Sequence, residues 1–143
     1  MTAVLAVAGC GSTPKPPLTR AQLTIKADSI CRTVTAKLEA ASKGESASTP
    51  RQLEHLTAKV SGFEQKALTE LTALVPPATL EAEWKRFVNG AQTLAEDTAK
   101  VGEDVASKNT AAGKAAISQI GATQKQMVAI AKRNGFKDCE KVA

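Results

Sequence analysis

Residues 80–105 read LEAEWKRFVNGAQTLAEDTAKVGEDV. Leu80, Trp84, Phe87, Ala91, Leu94, Thr98, Val101 and Val105 recur there in steps of four and three. A helix turns once every 3.6 residues, so this spacing gathers them on one side and predicts a long amphipathic helix. Pro76-Pro77 stands immediately before it. Proline lacks the amide donor and clashes with the preceding turn, so the pair ends whatever helix comes first. It is tolerated in a first turn, so the next helix starts at once.

Working back, Thr49-Pro50-Arg51-Gln52 carries the signals of a helix start. Thr caps, Pro fits the first helical position, and Gln three residues after the Thr completes a capping box. Leu53, Leu56, Val60, Phe63, Ala67, Leu71 and Leu74 form the apolar stripe of this helix. Before it, Gly44 to Ser48 is a polar break. A first helix precedes the break, opened by Thr19 and Gln22 at the same capping spacing, with Leu18 and Leu23 as a hydrophobic staple. Its inner face is Leu23, Ala27, Ile30, Val34, Leu38 and Ala41, and Asp28–Arg32 and Glu39–Lys43 are i,i+4 pairs on its wet side.

Working forward, Ser107 to Thr110 breaks the chain, and Asn109 is the better cap for a fourth helix. That helix is less apolar, with Ala116, Ile117, Ile120, Gln124, Met127, Ile130 and Ala131 facing in. Asn134-Gly135-Phe136 is a Schellman ending, with Gly in the left-handed position and an apolar residue after it. Four such helices with short connections predict an all-α fold, an antiparallel up-down-up-down bundle over residues 19–143. Gly62, Gly90, Gly102 and Gly121 fall inside helical patterns, where they mark either close helix contact or modest rigidity.

Residues 10–18 are a different material. Gly-Ser-Thr-Pro-Lys-Pro-Pro at 11–17 is a Pro-rich tether, and Ala3 to Gly9 are small and apolar. Val7-Ala8-Gly9-Cys10 resembles the lipobox of bacterial lipoproteins. The resemblance implies that 1–9 are the remnant of a signal peptide and that Cys10 is the lipidated first mature residue. Met1 to Gly9 carries no Lys or Arg, unlike the basic start of an export signal. Two or three acyl chains would anchor the chain stably to a membrane.

With Cys10 carrying lipid, Cys31 and Cys139 are left in a compartment that permits disulfides, and the simplest outcome is that they pair. Two separate buried thiols are the alternative. Ala-Asp-Ser-Ile-Cys at 27–31, Leu-Val-Pro-Pro at 74–77 before the Trp helix, and Asn-Gly-Phe-Lys-Asp-Cys at 134–139 together resemble a set of small helical lipoproteins of high-GC Gram-positive bacteria. That resemblance implies a helical body with paired cysteines and brings no activity with it.

Catalytic signals are weak. His55 is the one histidine, and the Glu that a carboxylate-bridged metal motif needs three residues earlier is Gln52. Ser12-Thr13-Pro14-Lys15 matches a β-lactamase nucleophile pattern but sits in the tether. Gly113-Lys114 lacks the earlier Gly of a phosphate loop. Glu96, Asp97, Glu103 and Asp104 read as a solvated helix face rather than a calcium cage, which loops with Gly usually build. No catalytic residue, metal or cofactor is expected, and the chain reads as no enzyme.

Charge is more informative. Through Asp104 there are 12 basic and 12 acidic residues; from Val105 onward there are 7 and 2. Lys114, Lys125 and Lys132 are 11 and 7 apart, which puts them on one helical face. Such a stripe suits anionic lipid headgroups or acidic cell-wall polymer. An exported chain without aromatic interleaving is a poor nucleic-acid binder. The leading expectation is an extracytoplasmic, lipid-anchored, non-enzymatic interaction or scaffold module of the cell envelope. The second is a small-ligand or lipid carrier with a slot between helices near Trp84. A cavity would favour the carrier, and a packed core the scaffold.

Overall fold

A computed structural model describes residues 15–44 and 47–141. Four helices make up the body: α1 (Arg20–Gly44), α2 (Pro50–Thr72), α3 (Glu81–Ala106) and α4 (Thr110–Asn134). Consecutive helices pack antiparallel, giving the expected four-helix bundle. The tether before Lys15, with Cys10, lies outside the described residues.

The helix ends follow the local chemistry of the sequence. Thr19 Oγ1 accepts from the Gln22 amide at 3.2 Å, and Gln22 Oε1 accepts from the Thr19 amide at 2.9 Å. Thr49 and Gln52 repeat the box at α2, with Pro50 in the first turn. One difference appears after Pro76-Pro77, where a 3-10 turn (Ala78–Leu80) comes before α3. It lets Leu80 point into the core before the helix proper begins. At the α3–α4 turn Lys108 takes a left-handed conformation, φ 59°. Asn109 then caps α4, its side chain accepting from the Ala112 amide at 3.3 Å.

The Schellman ending of α4 decides where the chain goes next. Gly135 has φ 76°, Phe136 N–H donates to the Ala131 carbonyl at 3.0 Å, and Gly135 N–H donates to that of Lys132. Phe136 is thereby turned into the core, 2% exposed. The tail folds back along α1 and ends in a 3-10 turn (Cys139–Lys141). Cys31 and Cys139 meet there as a disulfide pair, their Cα atoms 5.0 Å apart. Asp28 and Arg32 do not pair with each other on the wet side, as their spacing suggests. Asp28 instead accepts from the Asp138 amide at 2.9 Å, and Arg32 Nη2 bridges the Asp138 carboxylate at 2.7 Å. Hydrogen bonding from Lys141, then from Arg32, holds the Asp138 carboxyl below the usual range.

The helices do not share the packing equally. α2 runs closely along α3, and α3 along α4. α1 covers α2 more thinly and hardly touches α4 along its length. The α2–α3 seam is made of small and polar side chains: Thr57 and Ser61 against Ala95, Thr98 and Gly102 are all buried. Ser61 Oγ donates to the Ala95 carbonyl at 3.2 Å. Leu53, Leu56, Val60 and Phe63, the stripe read from sequence, are only half-buried. α2 has two working faces. The apolar one is left to the thin contact with α1, while the small one forms the tight seam with α3.

Close helix approach explains two of the four internal glycines, Gly102 in the α2–α3 seam and Gly90 in the α3–α4 seam. A Cβ on Gly102 would collide with Thr57 Oγ1, and one on Gly90 would lie 2.7 Å from Met127 Cγ. Gly62 and Gly121 have nothing within 4 Å. Gly102→Ala is therefore expected to destabilise the fold by roughly 1–3 kcal/mol, the usual range for overpacking. Gly62→Ala is expected to stabilise it by up to about 1 kcal/mol through helix propensity. Thermal unfolding of the two variants, with shifts of opposite sign, checks this.

The cross-link closes a loop of 108 positions. In the chain-entropy view a ~100-residue loop is worth about 4.7 kcal/mol. Reduction is expected to lower the melting temperature markedly. Thiol alkylation of folded, unreduced protein should label neither Cys31 nor Cys139.

Candidate functional site

The packed end of the bundle is aromatic. Trp84 stacks on Phe87 with ring centroids 5.7 Å apart, and Phe136 meets both edge-on at 5.8 and 6.0 Å. Leu23, Ala27, Leu71 and Leu80 fill the space around them. Trp84, 5% exposed, is a core anchor and is not part of the cavity wall that begins beyond it.

About one turn further along the helices the packing opens into a cavity of about 40 Å³. Ile30, Cys31 and Val34 come from α1, Ala67 and Leu71 from α2, Phe87, Ala91 and Leu94 from α3, and Met127 from α4. With its mouth the open space amounts to about 400 Å³. One polar residue lines it, Glu64 of α2. Glu64 is 9% exposed, and its Oε2 is buried without a hydrogen-bond partner. Burial pushes the carboxyl up from 4.5 to about 7, because charge is poorly solvated there; hydrogen bonding with Thr98 pulls the other way and is the smaller effect.

Sequence reading passes over Glu64 because the apolar stripe of α2 runs beside it. A second register was there to be read: Thr57, Ser61, Glu64, Leu68 and Leu71 also recur in steps of four and three. An acid in an inward register, flanked by Phe63 and Ala67, is the signal of a buried carboxyl.

The other residues singled out by sequence take varied places. Cys10 and Ser12 lie outside the described residues. Cys31 and Cys139 come together, and the disulfide forms one wall of the cavity through Cys31. His55 is exposed on α2. Glu96 and Glu103 are exposed, whereas Asp97 and Asp104 are half-buried, each with one buried oxygen lacking a partner, so this acidic face is only partly solvated. Among the described residues no group of three His, Cys, Asp or Glu is placed to hold a metal ion. Gly113 is buried against Asp104.

Lys114, Lys125 and Lys132 are all exposed on the outer face of α4. No acid among the described residues lies within 4.0 Å of any of them, whereas neighbouring Arg133 bridges Glu83 at 2.9 Å. Hydrogen bonding from Arg133 is the main reason the Glu83 carboxyl sits below its ordinary range. No helix among the described residues is long and apolar enough to cross a membrane.

No protein-family model, curated protein or solved structure matches this chain.

The raised Glu64 pKa has a consequence for stability. The folded chain holds this proton more tightly than the unfolded chain, so the stabilisation is complete below pH 4.5 and is lost as pH rises toward 7, then stays level. The loss is roughly 3 kcal/mol for a shift of this size. Glu64→Gln is expected to remove that fall and to be the more stable protein at pH 8. Denaturant unfolding of both proteins at pH 5 and pH 8 measures it.

Proposed function

We propose that the chain is a non-enzymatic module of the cell envelope, lipid-anchored at Cys10, that rests the basic face of α4 on an anionic surface. One observation carries the reading: Lys114, Lys125 and Lys132 share an exposed face with no acid among the described residues to neutralise them. Solubility alone does not require such segregation, since the rest of the chain is balanced in charge. The stripe from Lys114 to Lys132 is roughly 27 Å long at the helical rise. Ile117, 57% exposed and beside Lys114, adds an apolar contact of the kind that suits a headgroup boundary. The tether enters at the end of the bundle where α4 finishes: Leu18 N–H donates to the Val75 carbonyl at the exit of α2.

The cavity at Glu64 favours a second reading, a carrier of a small ligand between the helices. It lies beside the aromatic cluster rather than at Trp84 itself.

The leading reading is tested with Cys10→Ala, which is expected to move from the membrane to the soluble fraction. That soluble form should bind anionic vesicles, more weakly as salt rises, because exposed charges are screened beyond ~8 Å at 0.15 M. Changing Lys114, Lys125 and Lys132 to Gln should cost roughly 100-fold in binding, at about 1 kcal/mol per basic residue. Equal binding to neutral vesicles, or no loss in the triple variant, overturns it.

A further inference from the structure

The wall of the interior cavity is hydrocarbon and sulfur except at one point, Glu64. Thr98 is a hydrogen-bonding neighbour of this carboxyl, but Oε2 is buried without a partner among the described residues, on a side chain 9% exposed. Removing a carboxylate from water without a partner is costly, and the penalty is offset only by a charged or hydrogen-bonding group brought to it. Water suits the site poorly, because a buried water needs two to four polar partners and this lining offers one polar residue. A hard metal ion suits it no better, since calcium takes six to eight oxygens.

We propose that the cavity binds a small apolar molecule bearing one protonated amine, with the ammonium group on the Glu64 carboxylate and the apolar body against Ile30, Val34, Phe87, Leu94 and Met127. The proposal rests on the carrier reading and names its ligand chemistry. An ammonium donor gives a charge-assisted bond, about twice as strong as a neutral one, and cancels the buried charge. An anion is repelled by the same carboxylate. The buried part of the ligand is short: about 40 Å³ is well below the ~150 Å³ cavity that takes benzene. A few carbons fit inside, and anything longer runs into the mouth. Access is consistent with the packing, because α1, which supplies one wall, is thinly held to α2 and hardly at all to α4.

The molecule carries its own reporter. Trp84 is the one tryptophan, and its ring stacks on Phe87, a wall of the cavity. The full chain is titrated at pH 8 with methyl-, ethyl-, propyl- and butylammonium, with 1-propanol and with propionate, following Trp84 fluorescence and isothermal heat. Propylammonium is expected to bind at least tenfold more tightly than 1-propanol, and propionate not at all. Affinity should rise roughly fourfold per buried methylene, then level off at the length the cavity holds. Glu64→Gln should bring propylammonium down to the level of 1-propanol. Ala91→Leu, which fills the cavity from α3, should abolish both. Binding of 1-propanol as tight as that of propylammonium would overturn the amine assignment while leaving a carrier of neutral ligands. No response to either in the wild-type chain would overturn the amine assignment and the carrier reading together. The wild-type comparison stands whether or not the variants fold.

Discussion

The Cys31–Cys139 link is what makes α1 a full member of the bundle. The other three helices hold one another through continuous seams, α2 on α3 and α3 on α4. α1 has a thin seam with α2 and almost none with α4. The tail supplies what the seams do not. From Gly135 it turns back, buries Phe136 under Trp84 and Phe87, and fastens to α1 through the disulfide, the Arg32–Asp138 bridge and the Asp28 hydrogen bond. Covalent, ionic and apolar contacts all meet within one turn of α1. The exposed Arg32–Asp138 bridge adds little alone, as surface pairs do. Its place beside the cross-link makes it a register mark for the tail.

The uneven packing also explains why the cavity lies where it does. Close approach of α2 to α3 is possible because Thr57, Ser61, Ala95 and Gly102 are small. Larger residues take over toward the aromatic end, where Leu71, Trp84 and Phe87 fill the centre. Between the two regimes the facing positions are Ala67 and Ala91, too small to meet across the centre, and Glu64 stands at their edge. A leucine in its place would remove the buried carboxyl and its desolvation cost. The acid thus costs stability where it stands, and positions of that kind are where function is sought.

Helix existence, the two capping boxes and the Schellman turn were legible in the sequence because each depends on residues within a few positions of one another. The cysteine pairing was legible through the count of cysteines, with export as an expectation, rather than through geometry. What stayed hidden depends on distant neighbours. Leu53, Leu56, Val60 and Phe63 read as the core stripe of α2, yet the position of α1 leaves them half-covered. Asp28 and Arg32 have ideal spacing for each other, yet both turn to Asp138, a residue 106 positions from Arg32. Glu64 looked like any helical acid until α1, α3 and α4 were placed around it. Trp84 fell on the apolar stripe of α3 and is buried as that register implies, whereas the cavity one turn away depends on side chains from all four helices.

The position of the cross-link also sets how the chain carries tension. Residues before Cys31 lie outside the covalent ring that Cys31 and Cys139 close. A pull between residues ahead of α1 and residues after Cys139 first peels α1 up to Cys31, past Leu23 and Ala27. It then crosses the sulfurs straight to Cys139, so α2, α3 and α4 sit in a slack loop beside the line of force. A load gripped on the face of α4 takes the other route and must shear the helical seams. Beyond Cys31 the body is therefore shielded from tension along its chain, and exposed to tension applied through the face of α4.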